Sequence, residues 1–592
     1  MHCCDVVIID SGVDLSVIQD VSGICINKKE TGYEITDDIS DIVGHGTIIC
    51  SIIRKQAPSS NIFVIKLNDD TGDSGIEILI EALKYINENI DCRLVNISCG
   101  INANNEINEL YESCLVLYRK GVVIVSAYDN DGCFSYPAVF DCVVGVDSQP
   151  YFDKITEYDY VENSPINIFS KGKLQRLKIK DEKTLLVGGS SISCAYIVAN
   201  LAKELDKYND FNSALNLLKN TARIIYEDSR TKNKSDNIIF PIANAVVFPF
   251  SKEAHAFLRF NDMLAFAVKG FYDVRQSGKV DRKLKSFYEK IESDDKIRDI
   301  EKIDFEGIDT LILGHLDELN VLSKCDYRKW LIEKAIQNKI NIISFDQLGQ
   351  YTERLRNFGI KYYYPQITAE DVPGHFFGKL FKIPRPVVGI FGTSSQQGKF
   401  SLQLALKREL ESREYNVGTI GTEPHSLLFG MDVVFPMGYN STVHLSNHEV
   451  VIYLNNEINK LCTKGKEIII GASQAQTIPY YCNNLLEYPS LQIHYALGLK
   501  PDAIVLCINY FDDLDYISNT VDTLQGLTDA KVIAFVMYPL TYMNEWSTMK
   551  RRVTIEEYAK KRSSLYEKFE TPVYFMGEDT ANELANNIID FF

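Results

Sequence analysis

Val6-Val7-Ile8-Ile9-Asp10-Ser11-Gly12, close to the start of a 592-residue chain, decides the fold class. Four consecutive β-branched residues leave no face for solvent, so the run reads as a strand covered on both sides, as in a parallel sheet. Similar runs recur at 62–67, 93–98, 122–127 and 143–146. Between them, 76–90 and 106–120 carry apolar residues at three- and four-residue spacing, the pattern of helices that bury one face. Alternating strands and helices predict a doubly wound parallel α/β domain over residues 1–242.

The alternation continues with strands expected at 245–250, 310–313 and 341–345 and a helix at 326–339, defining a second α/β domain over 243–383. The charged stretch 279–302 reads as solvated helix and loop. Pro384-Arg385-Pro386 marks a hinge before a third α/β domain, 384–592. No internal repeat or low-complexity segment interrupts the pattern.

Composition narrows the function classes. The chain carries 62 Lys and Arg against 80 Asp and Glu, a net charge of −18, so no nucleic-acid face is expected. No basic segment precedes a long apolar run, and apolar stretches are strand-length, so neither export nor a membrane span is expected and the location is read as cytoplasmic. Fourteen cysteines contain no CxxC pair, and ten precede residue 200. They read as reduced, buried side chains without a disulfide framework or a metal site.

Three segments of the first domain carry candidate chemistry. Acyl transfer needs a nucleophile, a base beside it, a carboxylate orienting the base, and donors for the oxyanion. Asp10 ends the first strand, although a lone acid there is ordinarily a turn residue. His45, in Gly44-His45-Gly46-Thr47, precedes the apolar run Ile48, Ile49, Ile52, Ile53, which would place its ring at the first turn of a buried helix. Only His2 offers another histidine before residue 250. Ser191 lies in Gly188-Gly189-Ser190-Ser191-Ile192-Ser193-Cys194-Ala195, where a serine opening a buried helix meets free N–H groups; taken alone, it is equally a helix cap.

Together these segments resemble the subtilase family of serine proteases, with Asp, His and Ser in the order found in subtilisin. Gly189-Ser190-Ser191-Ile192-Ser193 stands where the family usually has Gly-Thr-Ser-Met-Ala. Asn96-Ile97-Ser98-Cys99-Gly100 is similar to the strand that pairs with substrate backbone, and Asp129-Asn130-Asp131-Gly132 resembles the loop carrying the oxyanion asparagine. The resemblance implies that Ser191 attacks the scissile carbonyl, His45 moves the proton and Asp10 orients the imidazole. It also implies that Asn130 and the Ser191 N–H hold the oxyanion while Ser98, Cys99 and Gly100 bind substrate, with no cofactor required. Three departures stand out: Ala195 replaces the proline after the nucleophile, Asp129 replaces the glycine before the asparagine, and no inhibitory propeptide is expected before Asp10. The acids flanking Asn130 raise the idea of a basic residue near the cut.

In the third domain, Gly392-Thr393-Ser394-Ser395-Gln396-Gln397-Gly398-Lys399-Phe400 joins an expected strand at 387–391 to a helix at 401–410. A glycine-bearing turn ending in Gly-Lys can cradle phosphate, with Gly392, Thr393, Gly398, Lys399 and Ser401 as candidate contacts and ATP or a similar nucleotide as ligand. Its spacing resembles the loop of dethiobiotin-synthetase-like P-loop proteins. A longer resemblance, over 245–510, is to a Rossmann-like domain followed by a nucleotide domain, with Gly421-Thr422-Glu423, Asp432 and Leu497-Gly498-Leu499-Lys500-Pro501-Asp502 as matching segments. Val247-Phe248-Pro249-Phe250-Ser251-Lys252-Glu253 is similar to a clostridial branch of that family associated with maturation of peptide natural products. Phe400 stands where a magnesium-binding hydroxyl is usual, and no acid follows the strand ending in Ile470.

These features favour a cytosolic endopeptidase that removes the leader from a ribosomally made precursor peptide, with the C-terminal half recognising substrate or regulating access. Two other readings remain open: a broad degradative protease controlled by nucleotide, and a peptide-binding maturation scaffold whose protease domain is silent.

Overall fold

The computed structural model describes every residue except 1, 70–74, 103–106, 131, 179–183, 228–238, 292, 375–376, 439, 482, 484–487, 544–548 and 578. Asp131, at the turn carrying Asn130, therefore lies outside the described residues, as does Glu106 at the start of an expected helix. The chain divides into two compact units: Met1–Thr231 with Pro373–Pro384, and Lys232–Val372 with Arg385–Phe592.

The first unit is built on a ten-stranded sheet. From one edge its strands are Ile224–Tyr226, Tyr158–Val161, Ile168–Lys171, Val144–Gln149, Val123–Ala127, Leu94–Ile97, Val6–Asp10, Ile62–Asp69, Ser22–Lys28 and Tyr33–Thr36. From Ile168–Lys171 through Ser22–Lys28 every neighbouring pair is parallel. Val6, Ile8, Val64, Leu94 and Val125 pack against helices His45–Gln56 and Ser190–Ala202 on one face. Val7, Ile9, Ile65, Val95 and Ile124 pack against Ile76–Asn89 and Ile107–Arg119 on the other. Successive strand residues thus serve opposite cores, and so the runs are apolar without alternation.

The expected central strands appear, with ends moved by local chemistry. The strand expected to reach residue 98 stops at Ile97, which frees Ser98–Gly100 for the site. The one expected at 245–250 is Asn244–Phe248, because Pro249 has no N–H for a ladder. Ser22–Lys28 and Ala267–Asp273 were not anticipated, since Gly23, Asn27 and Lys28 in one and Lys269 and Gly270 in the other interrupt the apolar pattern. Segment 279–302 holds short turns of 3₁₀ helix at Leu284–Ser286 and Ile300–Lys302 and no α-helix among the described residues.

The second unit contains two parallel sheets. One has six strands in the order Arg298–Asp299, Ala267–Asp273, Asn244–Phe248, Thr310–Leu313, Asn341–Ser344, Tyr362–Tyr363. The other has seven: Val433–Val434, Val417–Gly421, Ile468–Ala472, Val387–Gly392, Ala503–Ile508, Lys531–Met537, Val573–Phe575. No helix among the described residues is long and apolar enough to cross a membrane.

Candidate active site

In open α/β sheets, ligands bind beyond the carboxyl ends of strands where the winding reverses. Val6–Asp10, Leu94–Ile97 and Val123–Ala127 are adjacent parallel strands, so Asp10, Ser98 and the loop bearing Asn130 leave the sheet at one end. Asp10 is almost fully buried, and its Oδ1 accepts from the Ser11 N–H at 2.7 Å and lies 2.8 Å from His45 Nδ1. A carboxylate oxygen can only accept, so Nδ1 carries the proton and Nε2 is left able to accept one.

His45 reaches Asp10 because of the residue that follows it. A Cβ on Gly46 would stand 2.2 Å from the Gly12 carbonyl oxygen and 3.2 Å from Asp10 Cβ, so only glycine allows the helix to touch the strand end. Asp41, which the motif reading passed over, fixes the same junction. Its Oδ1 accepts from the Gly44 N–H (2.8 Å) and the Ser11 hydroxyl (2.9 Å), and its Oδ2 accepts from the Thr47 N–H (2.8 Å) and hydroxyl (2.6 Å). It thus satisfies N–H groups at the helix start that no side chain of the helix's own N-cap reaches. The signal available was an acid three residues before Gly44, in Asp41-x-x-Gly44-His45-x-Thr47.

The hydrogen bond that His45 donates to Asp10 raises the His45 pKa above its ordinary value, burial opposes this, and the charges of Asp10 and Asp41 add to the increase. Both carboxylates therefore favour the imidazolium that forms when the base takes a proton.

Ser191 occupies the first turn of Ser190–Ala202, entered through Gly189 at φ 106°. Its hydroxyl donates to the Ser98 carbonyl oxygen at 3.0 Å, and no hydrogen bond joins it to His45 among the described residues. Nucleophile–base contacts are often loose before substrate binds, and the Ser98 carbonyl belongs to the segment expected to pair with substrate. The Asn130 Oδ1 accepts from the Ser190 N–H at 3.1 Å, which leaves its Nδ2 as a donor beside Gly189, at the start of the Ser191 helix. Ser190 is buried and donates its hydroxyl to the Tyr128 carbonyl oxygen. Gly100 has no room for a side chain, since a Cβ there would lie 2.6 Å from Ser135 Oγ. Ala195 sits fully buried within the helix, so the missing proline leaves it unbroken. One region thus gathers Asp10, His45, Ser191, Asn130 and Ser98–Gly100.

The phosphate-loop candidates lie in the second unit, between Val387–Gly392 and Lys399–Ser412. Gly398 has φ 75°, and the buried Lys399 donates from Nζ to the Ser394 carbonyl at 2.7 Å. Burial lowers the Lys399 pKa to about 8. Thr393 is turned inward, accepting from Gln397 Nε2 at 2.7 Å and donating to Asp512. Ser401 lines a cavity of about 490 Å³ with Lys399, Glu423, His425 and Ser473. Phe400 packs edge-on against His425 at 5.0 Å, which puts a ring where a magnesium-binding hydroxyl would be needed. The acid missing after Ile470 has a counterpart in Glu423, half-buried and with its pKa raised by desolvation, which reaches the cavity from the turn after Val417–Gly421.

Residues 5–239 match the model of the Subtilase family, so the first unit carries a subtilase domain. The chain is 25% identical over 219 residues to the major intracellular serine protease of Bacillus subtilis, covering 33% of this chain and 66% of that protein. It is 28% identical over 158 residues to the minor extracellular protease Epr of the same organism, covering 24% and 22%. It thus spans just under two thirds of the first relative's length and about a fifth of the second's. Among solved structures, a DUF1611 family protein from Anabaena variabilis aligns at 11% identity and a TM-score of 0.41, covering 59% of this chain and all of that one.

Two outcomes follow from this geometry. Gly46→Ala gains at most about 1 kcal/mol of helix propensity, but its methyl meets backbone that cannot rotate away. Turnover should therefore fall at least tenfold and the melting temperature should drop; wild-type values for both would show that the close approach is not required. For pH, catalysis needs neutral His45, and its pKa is raised, so the acid limb of kcat/KM should lie above about 6.5, the ordinary histidine value. Asp41→Asn removes one of the charges that raise it and should move that limb to lower pH.

Proposed function

We propose that this subtilase domain is a working serine endopeptidase, with Ser191 as nucleophile, His45 as general base and acid, Asp10 orienting the imidazole, and Asn130 with the Ser191 N–H receiving the oxyanion. The observation that carries the proposal is the 2.8 Å contact of Asp10 with His45, formed at the same end of the sheet where Asn130 is tied to the N–H of Ser190. Substrate binding along Ser98–Gly100 would compete for the Ser98 carbonyl and release the Ser191 hydroxyl toward Nε2. The hydroxyl proton then passes to His45 as Oγ attacks, and returns to the leaving amine when the tetrahedral intermediate collapses.

The substrate is proposed to be a precursor peptide, cut to remove its leader in the cytosol. Support comes from the likeness of residues 247–253 to peptide-maturation proteins and from the relative named an intracellular protease. A fluorophosphonate probe should label Ser191 in the wild type and leave Ser191→Ala unlabelled. Asn130→Ala should fold normally and lose about 10²–10³ in kcat, the cost of one oxyanion donor. Wild-type turnover in that variant would overturn the assignment of Asn130. Equal cleavage of unrelated unfolded proteins and of a precursor peptide would overturn the processing role and leave a degradative protease; absence of labelling would leave a silent scaffold.

A second proposal concerns the cavity beside Lys399, read as a site for the phosphates of a nucleotide such as ATP. Its support is that Ser473 Oγ and both ring nitrogens of His425 are buried there without hydrogen-bond partners among the described residues, a costly state that a polar ligand would relieve. The Phe400 ring argues for binding without magnesium-dependent hydrolysis. Lys399 is charged below about pH 8 in the free protein. ATP affinity measured by calorimetry should accordingly hold below that pH and weaken as it rises through 8. Equal affinity in Lys399→Met would remove the proposal.

A further inference from the structure

The first unit contains a piece of chain from far outside its own sequence. Lys232–Val372 and Arg385–Phe592 belong to the second unit, but Pro373–Pro384, between them, belongs to the first. Within this strap, Leu380–Phe381 forms a parallel pair with Cys133–Phe134, three residues beyond Asn130. The Phe381 ring lies 4.8 Å from that of Phe134, which is fully buried. Phe377 packs edge-on against Phe169 at 4.7 Å, a second anchor of the same strap.

Lys379 makes the decisive contacts. It is 7% exposed, and its ammonium lies 3.3 Å from Asp147 Oδ2 and 3.4 Å from the carbonyl oxygen of Asp129, over the ring of Tyr128. Asp147 is itself buried, on the strand Val144–Gln149 beside Val123–Ala127. Lys379 is the only cation paired with it among the described residues. Asp129 precedes Asn130, and the Tyr128 carbonyl accepts the hydroxyl of Ser190, so Lys379 touches the loop at the two residues through which the oxyanion side chain is attached.

We propose that Lys379 is a positioning residue for catalysis: the strap holds the Tyr128–Asn130 turn and neutralises Asp147, so that the oxyanion donor is aimed only when residues 377–381 are seated on the protease unit. This rests on Asn130 serving as the oxyanion donor, which the Asn130→Ala and labelling experiments test independently. A ligand or contact that unseated the strap would switch the protease off without entering its active site.

The test uses the full-length chain. Lys379→Met should lower kcat tenfold or more, with KM changed less than threefold, and should weaken a peptide boronate, which fills the oxyanion site, more than a substrate-like competitor. Stranding the Asp147 charge could unfold the protein, so Lys379→Met is also made together with Asp147→Asn. That pair should recover the wild-type melting temperature and keep the low kcat, because the hold on the Asp129 carbonyl stays lost. Lys379→Arg, which keeps a donor and a charge, should restore most of the rate. Finally, adding Lys379→Met to Asn130→Ala should cost little further, since both act through one side chain. Wild-type kcat in the Asp147→Asn, Lys379→Met pair, or a full additional loss in the Asn130→Ala background, would overturn the proposal. If Asn130→Ala itself turns over normally, the reading of Asn130 fails and not the strap.

Discussion

The site depends on one close approach, that of the His45 helix to the end of the Val6–Asp10 strand. Asp10 is almost fully buried and cannot move toward a partner, because its strand is hydrogen-bonded on both sides. The helix must therefore come to it, and Gly46 is the residue whose missing side chain lets it. Asp41 then closes the junction by binding both the helix start and Ser11. These contacts fix the ring without spending the second imidazole nitrogen, so Nε2 stays available to take a proton. The same arrangement raises the proton affinity of His45, which trades a narrower working pH range for a stronger base.

Much of this was legible in the sequence because the informative residues are local. A strand buried on both faces announces itself by an unbroken run such as Val6–Ile9, and glycines flanking His45 and Ser191 mark places where the backbone turns sharply or packs closely. The edge strands were not legible. Tyr33–Thr36 is exposed over most of its length and Ser22–Lys28 is partly so, and neither needs the apolar signature that identifies the centre. Asp41 was missed for a related reason: an acid in a polar stretch looks like any solvated turn, and only the folded chain reveals that it accepts four hydrogen bonds.

In the second unit, the departures from a phosphate-loop pattern have a common cause. Phe400 lies in an aromatic cluster with His425 and Phe429, and Phe257 and Phe345 stack on the same imidazole. A hydroxyl at position 400 would face this apolar cluster, so packing has taken precedence over metal binding. Burial among these rings holds His425 neutral, with its pKa lowered to about 3, so the ring offers one donor and one acceptor to a ligand across the physiological range.

Lys379 shows where local reading of a sequence must stop. Its stretch of chain carries none of the motifs read from the sequence, and the family match ends at residue 239, well before it. Yet Asp147, inside the matched region, is buried with no other cation among the described residues. Burying a carboxylate costs several kcal/mol, and removing the partner of such a pair typically destabilises a protein by about 3–5 kcal/mol. That is a large fraction of the roughly 5–15 kcal/mol that hold a domain folded. The catalytic unit is thus electrostatically complete only with a residue supplied by the C-terminal half of the chain. The boundary of the protease as a working object follows charge and hydrogen bonding, not the span over which its family can be recognised.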